Sequence, residues 1–132
     1  MQVFHPFQSP TRSAQILDRK RVFKQCVETI QILKANLGQT KGWVNHPVTK
    51  MWKGCEPYLF HVYLRAFLQE CVYRDFDMFF LFGRVIDLQP YIPKPKTIQT
   101  PDFITEDYLT HQKNILIEKN PHYYQPIFEN EK

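Results

Sequence analysis

An all-α fold is predicted by three features of the sequence. These are helix-period apolar spacing over residues 9–38, an almost wholly apolar and aromatic run over 58–74, and Ser, Thr, Pro and Gly placed where helices start and stop. The chain has 132 residues, enough to bury a core without help from disulfides or metals. Hydrophobic residues make up 43% and charged residues 23%, which excludes the depleted composition of a disordered chain. The expected architecture is a single compact domain over residues 1–132, built from three main helices with a proline-rich loop and an aromatic C-terminal tail.

Ser9-Pro10 opens the first helix, because Ser caps free amide groups and Pro at the first helical position has no amide hydrogen to leave unpaired. Gly38 supplies the stop. Between them Ile16, Phe23, Val27, Ile30, Leu33 and Leu37 fall at spacings of three, four and seven, so one helix with one apolar stripe is expected over 9–38. Asn45-His46-Pro47 marks a second start, which Gly54 interrupts.

Glu56-Pro57 restarts a helix, and residues 58–74 form the central, most buried one, broken mainly by His61, Arg65, Gln69 and Glu70. Residues 75–86, with Met78-Phe79-Phe80-Leu81-Phe82, fit either a short buried helix or a strand; helix with irregular turn is favoured. Pro90, Pro93, Pro95 and Pro101 make residues 89–102 an extended surface loop. Thr105 caps the last helix, with Glu106 and Asp107 in its first turn, and that helix ends before Pro121. The segment 122–128 is read as a nonhelical aromatic tail.

A net charge of +4 with a pI near 9.0 favours a polyanionic partner. Seven Tyr and eleven Phe exceed what so small a core requires, which leaves rings to face a partner. Cys26, Cys55 and Cys71 are odd in number and lack a CxxC spacing, which suits a reducing, intracellular compartment. The start shows no basic segment followed by an apolar run, and no stretch reaches the ~18 apolar residues of a membrane span. Neither secretion nor membrane insertion is expected.

Neither a phosphate-cradling glycine loop nor a serine-nucleophile elbow is present. Cys55, His61 and His46 carry zinc-binding atoms at no recognised ligand spacing, so no metal or cofactor is expected. Trp43 and Trp52 fit base stacking or core anchoring alike, and Tyr123 and Tyr124 fit DNA contact or packing on the domain.

On a helical wheel Arg21, Gln25 and Glu28 share a side away from the apolar stripe, flanked by Lys24. That arrangement suits a solvated face with a Lys24–Glu28 pair worth about 0.3 kcal/mol, or a functional site.

Four ordered segments resemble the pyrimidine-dimer DNA glycosylases of the phage UV-endonuclease family, above all their cellular and viral branch. They are Met1-Gln2-Val3-Phe4-His5-Pro6; Leu17-Asp18-Arg19-Lys20-Arg21 with Lys24-Gln25-Cys26-Val27-Glu28; Gly42-Trp43-Val44-Asn45-His46-Pro47 with Lys50-Met51-Trp52-Lys53-Gly54; and His111, Leu116, Lys119-Asn120-Pro121 with Tyr123-Tyr124. The resemblance spans most of the chain apart from residues 78–101.

It implies a helical protein that bends damaged double-stranded DNA, flips a base and attacks the deoxyribose with an N-terminal amine. A Schiff base forms, and β-elimination nicks the strand. It further implies Glu28 as the catalytic carboxylate and Met1 or Gln2 as bearer of the amine. Arg21, Lys24, Gln25, His5, His46, Lys50 and Tyr123 become candidate DNA contacts. A monomer suffices for this chemistry.

An α-amine suits the task, because its pKa of ~7.7–8.0 leaves a reactive fraction at neutral pH. Two positions depart from the phage pattern: bulky Gln2 replaces a small residue, and Val3 replaces an arginine. A lysine, Lys24 or Lys20, is the alternative Schiff-base former. A noncatalytic nucleic-acid-binding protein on the same scaffold and a protein-interaction domain are the competing readings.

Overall fold

In a computed structural model that describes residues 1–130, every regular element is helical. The order is α1 (Pro10–Ile16), α2 (Arg19–Asn36), α3 (Pro47–Met51), α4 (Glu56–Tyr58), a π-helical segment (Leu59–Leu64), α5 (Arg65–Tyr73), α6 (Phe79–Leu88), a 3₁₀ turn (Gln89–Tyr91), α7 (Glu106–Lys119) and α8 (Pro121–Glu129). The all-α expectation holds, but the division into elements differs from the sequence reading in four places.

The helix expected over residues 9–38 is two helices. Ser9 caps α1 as anticipated, its Oγ accepting from the Arg12 amide at 3.2 Å. The chain then turns extended at Leu17 and Asp18 before α2 begins. The break is held from the far end of the chain: the Asp18 amide donates to the Tyr124 hydroxyl at 3.0 Å, and that hydroxyl donates to the Asp18 carboxylate. No local pattern announces a partner 106 residues away. The stop at Gly38 is as read. Gly38 has φ +74, its amide bonds to the Ala35 carbonyl and the Gln39 amide to that of Lys34, the paired bonds of a Schellman cap.

The buried side of α2 is also broader than the expected stripe. Val22, Cys26, Ile30, Ile32 and Leu33 are in the core with Gln25 and Thr29, while Phe23, Val27 and Leu37 pack half-buried at its edge. The helix is covered on two sides, by α5 and α6 on one and by the N-terminal segment on another, so a single amphipathic stripe does not describe it.

The central helix is as expected in place and burial. The run from α4 through α5 puts Leu59, Tyr63, Leu64 and Phe67 in the core, where α5 packs on α1 and α2. Its interior π-helical stretch, with i→i+5 geometry, was not foreseen. The ambiguous segment is α6, a helix of ten residues rather than a strand, but it is not buried. Leu81 and Leu88 face the core, while Phe79, Phe80, Phe82 and Ile86 face outward. α2, the α4–α5 run, α6 and α7 are thus all substantial, and three main helices understate the fold.

The proline-rich segment after the 3₁₀ turn is irregular, pinned by buried Ile92 and Ile104. Thr105 caps α7 through the Tyr108 amide at 3.3 Å. The tail expected to be nonhelical is α8. Pro121 takes its first turn, Asn120 caps it, and the bond Pro126 lacks is to the carbonyl of exposed His122, so the proline is tolerated. Among the described residues no helix is long and apolar enough to cross a membrane.

Candidate active site

Residues 1–8 are not helical; they run across α2 and are clamped to it by Gln25. The Phe4 amide donates to Gln25 Oε1 at 2.8 Å, and Gln25 Nε2 donates to the Gln2 carbonyl at 3.0 Å and to Glu28 Oε2 at 3.2 Å. The Tyr63 hydroxyl lies 2.7 Å from the Phe4 carbonyl and 2.8 Å from Gln25 Oε1. Burial drives the Tyr63 pKa well above the usual phenol value, so this hydroxyl keeps its proton and stays a donor. Every polar atom of the Gln25 amide is thereby occupied.

The clamp ends on Glu28. The backbone nitrogen of Gln2 donates to Glu28 Oε2 at 3.1 Å. Lys24 Nζ approaches Oε1 at 4.0 Å, with the Lys24 side chain 64% exposed and that of Glu28 mostly covered. Arg21, one turn back, is held by Asp18 at 3.2 Å. Burial alone would raise the Asp18 pKa, but hydrogen bonds from Tyr124 and Arg21 outweigh it and hold the carboxyl below its usual value. The wall carrying Arg21 is therefore braced at normal pH.

These groups surround a cleft of about 200 Å³ lined by Met1, Gln2, Phe4, Lys20, Arg21, Lys24, Gln25, Glu28 and Lys119. Four cations ring one carboxylate at the start of the chain. Such a cavity attracts a phosphodiester while offering a negative oxygen at its floor.

The structure brings Met1, Gln2, Arg21, Lys24, Gln25 and Glu28 together and leaves four other candidates outside. Gln25 is 1% exposed and, being fully engaged within the chain, positions the N-terminal segment rather than presenting an atom to a nucleotide. His5 is wholly buried between Tyr58 and Tyr63. Its Nδ1 meets the Phe7 carbonyl at 2.7 Å and its Nε2 the Tyr58 hydroxyl at 2.9 Å. Desolvation lowers its pKa to about 4, so it is a neutral internal group.

His46 caps α3, its Nδ1 accepting from the Val48 amide at 3.1 Å. Lys50 is exposed on α3 beside Thr49, whose hydroxyl lies 3.8 Å from the Met1 sulfur. Tyr123 is partly exposed and stacks edge-on against buried Tyr124. None of these four lines the cleft. Trp52 is core, T-shaped against Phe103 at 4.9 Å, while Trp43 is exposed.

Sequence reading placed no contact on Lys119. It is the last-turn lysine of α7 and part of the Lys119-Asn120-Pro121 segment that carries the resemblance, but cations favour that position for the helix dipole alone, so its spacing does not mark it as lining a site. Among the described residues no group of three or more His, Cys, Asp and Glu is placed to hold a metal ion.

No curated protein and no solved structure matches the chain. A family model described as pyrimidine dimer DNA glycosylase matches residues 1–79, which contain the N-terminal segment, its Gln25 clamp and Glu28. The match covers more than half of the 132 residues, and the chain belongs to the pyrimidine dimer DNA glycosylase family.

Proposed function

We propose that this protein is a DNA-repair glycosylase with abasic-site lyase activity, acting on damaged double-stranded DNA inside the cell through an N-terminal amine with Glu28 assisting. One observation carries the reading: the first backbone nitrogens of the chain lie in a cation-ringed cleft, with the Gln2 nitrogen 3.1 Å from Glu28 Oε2. In this scheme Lys20, Arg21, Lys24 and Lys119 hold the phosphates on either side of the lesion.

The amine lone pair attacks the anomeric carbon as the glycosidic bond breaks, and the base leaves with the bonding electrons and a proton. Glu28 stabilises the positive charge that develops on the sugar and takes the proton from the attacking nitrogen. The sugar ring then opens: the nitrogen lone pair forms the C=N bond as the C1′–O4′ bond breaks, and O4′ takes a proton from Glu28. The resulting iminium acidifies the neighbouring sugar C–H, and loss of that proton expels the 3′ phosphate. Water then releases the enzyme.

The amine belongs to whichever residue begins the mature chain. With Met1 retained, the Gln2 nitrogen is a peptide nitrogen and Met1 bears the nucleophile; with Met1 removed, the free Gln2 amine already sits on Glu28. The same fact favours one second reading, a protein that binds damaged DNA without cutting it, because the nitrogen on Glu28 is unreactive while Met1 remains.

Borohydride trapping on abasic-site DNA, with mass spectrometry of the mature N-terminus, decides between them. A covalent adduct mapped to the first residue and reduced about 10²–10⁴-fold by Glu28→Gln is expected. Salt-dependent binding that survives Glu28→Gln with no adduct at any protein concentration establishes the noncatalytic reading instead.

A further inference from the structure

The outer face of α6 is an exposed apolar surface that this chemistry leaves unused. Phe79 and Phe80 are each 78% exposed, Ile86 66% and Tyr91 63%. Single exposed apolar residues are ordinary, but a contiguous cluster marks a contact surface. Phe79, Phe80, Phe82, Gly83 and Ile86, with Arg84 and Asp87, open a groove of about 530 Å³ on α6.

The order of residues along one edge of that face identifies the occupant. Phe80, Arg84 and Asp87 follow at i, i+4 and i+7, the spacing of one helical edge of α6, and Tyr91 follows in the 3₁₀ turn beyond its end. Read forward, the edge is aromatic, cation, anion, aromatic; read backward, it is aromatic, anion, cation, aromatic. An antiparallel copy therefore sets each Arg84 against Asp87 of the other chain and brings each Phe80 towards the turn that carries Tyr91 of the other. Neither charge has an ion-pair partner in its own chain among the described residues.

We propose that the outer face of α6 is a homodimer interface, with a twofold axis near residues 85–86 pairing the helix with an antiparallel copy of itself. The exposed rings and Ile86 offer on the order of 600 Å² per copy. Two copies then bury about 1,200 Å², at the lower end of stable interfaces. The dimer is accordingly concentration-dependent.

It does not depend on the glycosylase reading, and the cleft is complete within one copy. Phe23, Val27 and Ile30 of α2 meet α6, whereas Arg21, Lys24 and Glu28 point to another side of α2, so both clefts stay open in the dimer.

Sedimentation velocity on the full chain from about 1 to 200 µM tests this over the range where such an interface forms. The native protein shifts from monomer to dimer. Arg84→Glu and Asp87→Arg, both exposed sites, each weaken association at least ~tenfold by setting like charges face to face. An equimolar mixture of the two variants dimerises again, since each contact regains opposite charges. A native monomer at every concentration overturns the proposal, as do single variants that stay dimeric or a mixture that stays monomeric. A native monomer that co-floats with phosphatidylcholine vesicles also overturns it, and gives the face to lipid.

Discussion

Gln25→Leu separates the two jobs a residue beside Glu28 can do, positioning the chain and touching the substrate. The replacement keeps the volume of a buried side chain but removes both ends of the clamp. The Phe4 amide, now 2.8 Å from Gln25 Oε1, becomes a buried donor without an acceptor, which costs about 1–3 kcal/mol. The Gln2 carbonyl is half-exposed and rehydrates cheaply, and the Tyr63 hydroxyl still donates to the Phe4 carbonyl.

The expected loss is therefore about 2 kcal/mol, or roughly 7 °C in Tm for a chain of this size, measured by urea unfolding and calorimetry. Adduct formation falls with it, because the N-terminal nitrogen no longer has a fixed place against Glu28, and saturating DNA does not restore the rate. A variant of native stability that loses activity only through weaker DNA binding would show that Gln25 contacts the substrate, and the clamp reasoning would fail.

His5 sets an acid limit on stability. Its folded pKa of about 4 lies below the ordinary 6.5, so the unfolded chain binds the proton more readily and stability is full above pH 6.5. It declines as pH falls from 6.5 to 4, by about 3 kcal/mol in all; urea unfolding across that window checks it, and the decline attributable to this residue is absent in His5→Asn. Lys119→Ala should leave the fold intact but lower the slope of log Kd against log salt for duplex DNA by about 0.9, the signature of one lost phosphate contact. An unchanged slope places Lys119 off the DNA path.

Helix class and most helix ends were legible because they depend on neighbours along the chain. Ser9, Gly38, Thr105 and the proline-rich segment each act within a few residues, and each does what its chemistry dictates. The α8 error is local: Pro126 is tolerated because the carbonyl it leaves unpaired belongs to exposed His122, four residues back. Two other errors share a cause at longer range. The break at Asp18 depends on Tyr124, and the burial of Gln25 depends on the N-terminal segment folding over α2.

The cleft was half legible for the same reason. Arg21, Lys24 and Glu28 share a helix face and could be found on a wheel. Lys119 arrives from α7, and its place in the Lys119-Asn120-Pro121 segment does not say that it meets the face carrying Glu28. His5 lies within the matched N-terminal segment and is nevertheless sealed in the core, because a short sequence motif conveys proximity to a site and not which way a side chain points.

The bond between Asp18 and Tyr124 has a further consequence, for the order in which the protein can be made. The His5 amide bonds to Gln112 Oε1, so the first residues and the last two helices are tied at two points more than a hundred residues apart. A ribosome delivers the catalytic candidates within the first thirty residues, yet the strut behind Arg21 is withheld until residue 124 has left the exit tunnel. Until then the nascent chain carries the cleft's residues without its geometry, and the finished cleft arrives as a late event of synthesis rather than an early one.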